Sequence, residues 1–202
     1  MSRMEKQPGV SRDDAVRTFI CIEIPEALKT LIADLQRELK QIDAQVSWVK
    51  PENIHLTLKF LGDIPQSRIA AVSKAVERAA GSSSPFDVEV SSTGCFPSTR
   101  SPKVLWVGLS HVPTQLNHLH QAIEDELAHA GFARESKPFS PHLTIGRVRP
   151  PRRAPEVAER LIARGFRSEP FSAGEVIVMR SELNPSGSVY TPQAVIRLGH
   201  PD

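Results

Sequence analysis

The sequence predicts an α/β (α+β) chain folded as two related lobes that face each other across a pseudo-twofold axis. Two observations carry that prediction. Short strand-like runs alternate with amphipathic helical stretches along the whole chain. Matching features also recur at a nearly constant offset. Phe19 and Val104, Phe86 and Phe171, and Val104 and Val189 each lie 85 positions apart, and His55 and His142 lie 87 apart. A period that long, repeated so few times, is no solenoid and reads as an internal duplication.

The elements follow in order. Phe19 to Ile24 is a strand-like run stopped by Pro25. Leu28, Leu31, Ile32, Leu35 and Leu39 then recur at helical spacing, predicting a helix over about 26–41 with these residues inward. Val46 to Val49 and His55 to Phe60 read as short strands, separated by Pro51. Pro65 opens a second helix with Ile69, Val72 and Val76 on one face and Gly81 at its end. Phe86 to Val90 alternates like a strand. In the second half, Val104 to Leu109 is a strand, and Pro113 to Ala130 a helix with Leu116, Leu119, Ile123 and Leu127 inward. The strand His142 to Val148 follows Ser140 and Pro141, then come a helix near 155–164, Phe171 and a strand from Glu175 to Met179.

No stretch of linker composition divides the halves. The Pro/Arg segment from Arg149 to Arg153 is short enough for a surface loop, so one bilobal domain over 16–202 is expected, preceded by a mobile tail over 1–15. With 40% hydrophobic and 24% charged residues the chain can bury a core, which excludes wholesale disorder. A net charge of only +2 argues against coating long duplex nucleic acid, but not against holding one or two phosphates in a cleft. Cys21 and Cys95 have no Cys-x-x-Cys spacing, so no zinc knuckle or disulfide framework is expected. The polar N-terminus lacks an apolar signal region and no apolar stretch approaches membrane-spanning length, which fits the cytoplasm and no membrane partner.

The chemistry concentrates in a repeated tetrapeptide. His55-Leu56-Thr57-Leu58 is matched by His142-Leu143-Thr144-Ile145. Seven His and eight Thr in 202 residues yield about 0.3 His-x-Thr triplets by chance, so two at equivalent points of a duplication form a specific signal. In a strand, His and Thr at i and i+2 share one face while the aliphatic residues anchor the other. Two imidazoles can then act as one general acid and one general base, and two hydroxyls can donate to phosphate oxygens. That set needs no metal or other cofactor and suits in-line displacement at phosphorus.

The surroundings are less decisive. Arg147, five residues after His142, falls on the opposite face in a regular strand, but a bulge at Gly146 would turn it toward the cleft and a phosphate. Lys59, four after His55, lies on the functional face if the strand stays regular, in reach of substrate. Phe19 and Tyr190 either stack a base or cap the core. On a helix His118 and His120 point about 200° apart and cannot share a metal, so they read as solvated. His111, His129 and His200 have no partner pattern, and no Walker-type glycine loop points to ATP. Arg149, Arg152 and Arg153 either guide a phosphate-bearing ligand into the cleft or only decorate a loop.

Asn53 to Gly62 (NIHLTLKFLG) and Pro141 to Arg147 (PHLTIGR) resemble the paired motifs of the two-histidine phosphoesterases, specifically the RNA 2′,3′-cyclic phosphodiesterase family, historically called 2′-5′ RNA ligase. The likeness extends from Arg17 to about Leu198 and includes Gly94-Cys95-Phe96-Pro97, Pro102 to Trp106, and Ser181-Glu182-Leu183 with Val189-Tyr190 as a C-terminal hairpin. Ile54 and Lys103 stand where the family often has Leu and Arg.

The resemblance implies a bilobal fold with antiparallel-rich sheets lining a central cleft and helices outside. It also implies hydrolysis of an RNA 2′,3′-cyclic phosphate to a 2′-phosphomonoester without metal, and joining of such an end to a 5′-hydroxyl in a 2′-5′ bond. By position, His55 is the proton donor, His142 the proton acceptor, and Thr57 and Thr144 hold the phosphate. The expected partners are RNA ends, tRNA fragments among them, or cyclic nucleotides, bound by a monomer. The alternatives are a cyclic phosphodiesterase acting on another nucleotide, such as a cyclic phosphate of ADP-ribose, and a non-catalytic RNA- or nucleotide-binding module.

Overall fold

The computed structural model describes residues 15–149, 153–185 and 187–199. Residues 1–14 of the expected tail lie outside them, as do Arg152 and His200, while Ala15 already belongs to the first strand. The apolar run around Phe19 becomes the interior strand β1 (Ala15–Glu23) of a four-stranded sheet. Its neighbours are β3 (His55–Pro65) on one side and the hairpin β9 (Glu175–Asn184) and β10 (Gly187–Arg197) on the other, in the order β10-β9-β1-β3, all antiparallel. The second sheet is β2 (Val46–Trp48), β7 (His142–Val148), β6 (Val104–Gly108) and β5 (Ser92–Phe96), also antiparallel. A third pair joins β4 (Phe86–Val88) to β8 (Phe171–Ala173).

Four helices complete the described chain: α1 (Glu26–Leu39), α2 (Ile69–Gly81), α3 (Thr114–His129) and α4 (Ala154–Arg164). Each inserts an apolar stripe into one core, including Ile32 and Leu35 from α1, Val72 and Val76 from α2, Leu119 and Ile123 from α3, and Val157 and Leu161 from α4. Leu56, Leu58, Leu143 and Ile145 meet that core from the strands, as the alternation predicts. A smaller cluster of Phe19, Cys21, Ile177 and Met179 lies on the other face of the first sheet. Among the described residues, no helix is long and apolar enough to cross a membrane.

Three local readings need correction. Leu31 is 45% exposed, while Gln36 takes an inward place at 2%. At 100° per residue the buried stripe centres between Leu28 and Ile32, and Leu31 lies about 90° from that centre. Gln36 answers its burial by donating to the carbonyls of Val49 (2.7 Å) and Ile145 (2.8 Å), tying α1 to the second sheet. The strand from His55 does not stop at Phe60 but continues to Pro65 against the start of β1, so the second helix begins only after a 3-10 turn at Gln66–Arg68. The segment Ser92–Phe96, quoted above only for its family likeness, is a strand despite lacking an alternating pattern.

The lobes are also not the sequence halves. Each sheet draws on both: β9 and β10 join β1 and β3, while β2 and β5 join β6 and β7. The 85-residue offset nevertheless maps β1 onto β6 and β5 onto β9, strands in equivalent sheet positions. The registers match as well. Glu23 opposes His55 and Gly108 opposes His142; Cys21 opposes Thr57 and Trp106 opposes Thr144. In both ladders the register then slips by one residue, between Ile20 and Cys21 and between Leu105 and Trp106, leaving Leu58 and Ile145 as the extra residues of two equivalent β-bulges.

Candidate active site

The two motif strands, β3 and β7, belong to different sheets yet approach within 8 Å, Cα to Cα. Each presents its His and Thr half-buried on the face away from the helices, while the intervening aliphatics are buried. The two imidazoles are held alike. His55 Nδ1 donates to the Asn53 carbonyl at 2.9 Å, and His142 Nδ1 to the Ser140 carbonyl at 2.7 Å. A carbonyl only accepts, so each bond fixes the proton on Nδ1 and leaves the Nε2 lone pair for chemistry.

Aromatic rings pack around both imidazoles. Phe19 stacks on His55 at 4.6 Å between centroids, and Tyr190 meets His55 edge-on at 5.4 Å. His142 is met edge-on by Phe96 at 5.1 Å, with Trp106 tilted at 6.2 Å. This burial disfavours the charged forms. It pushes His55 down to about 4, against a smaller opposing effect of the Asn53 carbonyl. His142 is lowered too, by burial first and by the Arg147 charge, with the Ser140 carbonyl opposing. Both imidazoles are therefore neutral in the free protein at pH 7. Cys21, opposite Thr57 on the neighbouring strand, is buried, and that burial pushes its thiol up to about 12, against the thiolate form.

The bulges decide where the next residues point. Cross-strand partners share a face. Beyond the extra residue Leu58, Lys59 opposes the core residue Ile20, and Phe60 opposes Phe19. Lys59 thus leaves the functional face predicted for it and is buried, donating to Glu124 on α3 at 2.6 Å. Beyond Ile145, Gly146 opposes Leu105, and Arg147 opposes Val104. Arg147 is exposed on the face of Thr144, close enough for its charge to act on His142, as the bulge alternative anticipated.

Phe19, expected either to stack a base or to cap the core, is 3% exposed and engaged with His55; it has no free face for a base. The open ring is Phe60, 60% exposed and 5.9 Å from Phe19, a residue sequence reasoning did not single out. Tyr190 is half-buried and lines a cavity of about 310 Å³ beside His55, together with Asn53, Lys29, Lys50, Glu23 and Glu52. No spacing signal marks those lysines, because α1 and the segment after β2 bring them together only in the fold.

His120 is not a solvated helix residue: its side chain is 14% exposed and its ring stacks on Phe139 at 3.9 Å. Arg153 chelates Glu156 through two nitrogens at 2.7 and 2.6 Å at the start of α4.

A family model described as the 2′-5′ RNA ligase superfamily matches residues 24–185. The chain belongs to the 2′-5′ RNA ligase superfamily. Among curated members, a Methanothermobacter thermautotrophicus protein named RNA 2′,3′-cyclic phosphodiesterase is 36% identical over 185 residues, covering 91% of this chain and 99% of its own. A protein of the same name from Archaeoglobus fulgidus is 33% identical, covering 87% and 96%. Among solved structures, the Thermus thermophilus protein TT0787 superposes with a TM-score of 0.75 at 23% identity, over 90% of this chain and 97% of that one. E. coli LigT complexed with 3′-AMP gives 0.70 at 23% identity, over 92% and 99%. Superfamily membership thus accords with the antiparallel sheets, the four helices and the paired motifs.

Proposed function

We propose that this superfamily member is an RNA 2′,3′-cyclic phosphodiesterase in which His55 and His142 act as an acid–base pair without metal. The observation that carries the reading is the matched presentation of the two imidazoles, each with Nδ1 satisfied by the carbonyl two residues earlier and Nε2 left free. In the displacement, His142 Nε2 takes a proton from water as the water oxygen attacks the cyclic phosphorus. The P–O3′ bond breaks, and His55 Nε2 gives its proton to the departing 3′-oxygen. The products are a 2′-phosphomonoester and a 3′-hydroxyl, and proton exchange with solvent resets the pair. His55 must be protonated to donate, and the negative charge of the bound cyclic phosphate favours that form.

Thr57 and Thr144 supply hydroxyl donors to the phosphate, and Arg147 supplies a guanidinium. Phe60 offers the stacking surface for a base and Tyr190 an edge for the ribose, while Lys29 and Lys50 flank the path of the RNA beside His55. An RNA 5′-hydroxyl in place of water would form a 2′-5′ linkage by the same displacement.

The test is turnover of a 2′,3′-cyclic nucleotide and of cyclic-phosphate-ended RNA in EDTA, with the phosphate position of the product determined. A 2′-phosphate product supports the reading, and turnover only with added metal overturns it. His55→Ala and His142→Ala should each lower the rate by about 10²–10⁴-fold, the usual cost of a positioned acid or base. Full activity in either variant would refute the paired mechanism.

A further inference from the structure

His142 is aimed by a loop that the site itself does not hold. The loop runs from Ala130, at the end of α3, to Pro141, and its backbone is gathered by two buried side chains of opposite charge. Lys59 Nζ donates to Glu124 Oε1 at 2.6 Å and to the Ala133 carbonyl at 2.9 Å. The second carboxylate oxygen of Glu124 accepts the Glu135 amide at 3.0 Å. The two side chains are only 5% and 7% exposed. A buried ion pair is tolerated better when its remaining donors and acceptors find partners, and here the loop backbone supplies one to each side chain.

The contacts continue to the imidazole. One turn before Glu124, His120 places Nε2 4.0 Å from Glu124 Oε1, and its ring stacks on Phe139 at 3.9 Å and 11°. Phe139 precedes Ser140, whose carbonyl accepts His142 Nδ1 at 2.7 Å. An unbroken series of contacts therefore runs from Lys59, in the strand of His55 and Thr57, to the carbonyl that orients the other histidine.

We infer that Lys59 and Glu124 are positioning residues: they lock the Ala133–Ser140 loop so that Ser140 orients His142, and they tether that loop to the strand carrying His55. Neither residue touches substrate. The inference rests on the paired-imidazole reading for its catalytic consequence, although its structural part stands apart from it. If the pair merely filled space, an apolar pair of similar volume would serve as well.

The experiment therefore compares K59M, E124L, K59M/E124L and E124Q with the wild type in the full chain. It measures thermal unfolding, kcat and KM on a 2′,3′-cyclic nucleotide, and the NMR titration of the His142 ring without substrate. Each of K59M and E124L strands a buried charge and should lower both stability and rate. The double variant should recover thermal stability yet keep a kcat deficit of at least tenfold, with KM changed less than threefold. In it, the His142 titration should move further below its ordinary value, because a loosened loop loses the Ser140 carbonyl bond that opposes the effect of burial beneath Phe96 and Trp106. E124Q keeps the volume and should show the same pattern in smaller measure, with kcat down at least threefold. A double variant with wild-type kcat and an unmoved His142 titration would overturn the inference. So would wild-type values of both in E124Q, even if the double variant failed to fold. A wild type that turns over no cyclic phosphate would instead refute the functional reading, and the His142 titration would still decide the positioning role.

Discussion

The burial of His55 has a thermodynamic consequence that needs no substrate to measure. Unfolded, the imidazole titrates near 6.5; folded, beneath Phe19 and Tyr190, it is held down to about 4. Above pH 6.5 the ring is neutral in both states and its burial leaves stability independent of pH. Below 6.5 the unfolded chain takes up a proton that the native chain refuses, so stability falls as pH falls. The slope approaches 1.36 kcal/mol per pH unit, giving a loss of about 2 kcal/mol between pH 6.5 and 5 and about 3 kcal/mol by pH 4, where the native ring protonates too. His55→Gln keeps a polar side chain of similar reach and removes the titration. Urea unfolding of both proteins at pH 7, 6 and 5 isolates the effect, because His142 and the carboxylates contribute equally to each. The wild type should lose about 2 kcal/mol more than the variant across that range. Parallel pH dependences would show that His55 titrates alike in the folded and unfolded chains, refuting the argument from burial.

The same depression shapes catalysis. Because kcat/KM reports the free enzyme, its bell should peak below pH 6.5, with an acid limb near 4 from His55 and an alkaline limb from the lowered His142; a kcat/KM maximum above pH 7 would contradict the geometry. Arg147→Met should raise KM for a cyclic nucleotide about tenfold and raise the His142 titration, since a neighbouring positive charge is removed; an unchanged NMR titration would detach Arg147 from the site. At Gly94 an added Cβ would overlap the Trp106 indole, so Gly94→Ala should cost about 1–3 kcal/mol by overpacking and lower Tm measurably. A wild-type Tm would mean that the indole beside His142 is free to move.

What could be read from the residues alone was whatever the periods of strand and helix govern. His55, Thr57, His142 and Thr144 were legible because alternation puts i and i+2 on one face whatever else the strand does. The helical stripes of α2 and α3 were legible for the same reason. Lys59 was misplaced because no residue type announces the bulge at Leu58, and one extra residue reverses the side chains that follow, here Lys59 and Phe60, until a second slip between Thr18 and Phe19. The exchange of strands between the halves was hidden more deeply. Which strand pairs with which is decided by contacts far apart in sequence, and a hairpin such as β9–β10 looks the same whichever sheet it joins.

The two bulges also explain how a near-symmetric backbone yields an asymmetric site. Both strands carry an extra residue after the His-x-Thr, so both send the next residue to the core face and the one after it to the cleft. At the core position one strand has Lys59, which reaches α3, and the other has Gly146, where an added Cβ would lie 2.8 Å from Val46. A side chain at 146 would displace β2, so that strand can carry no strut of its own. At the cleft position one strand has Phe60 and the other Arg147. A flat apolar ring and a guanidinium make opposite demands of a ligand: one favours a base, the other a phosphate. The shared backbone supplies two equivalent imidazoles, and these two pairs of residues distinguish the ends of the cleft. A bound RNA terminus should accordingly have a preferred direction, with its base toward β3 and its anionic oxygens toward β7.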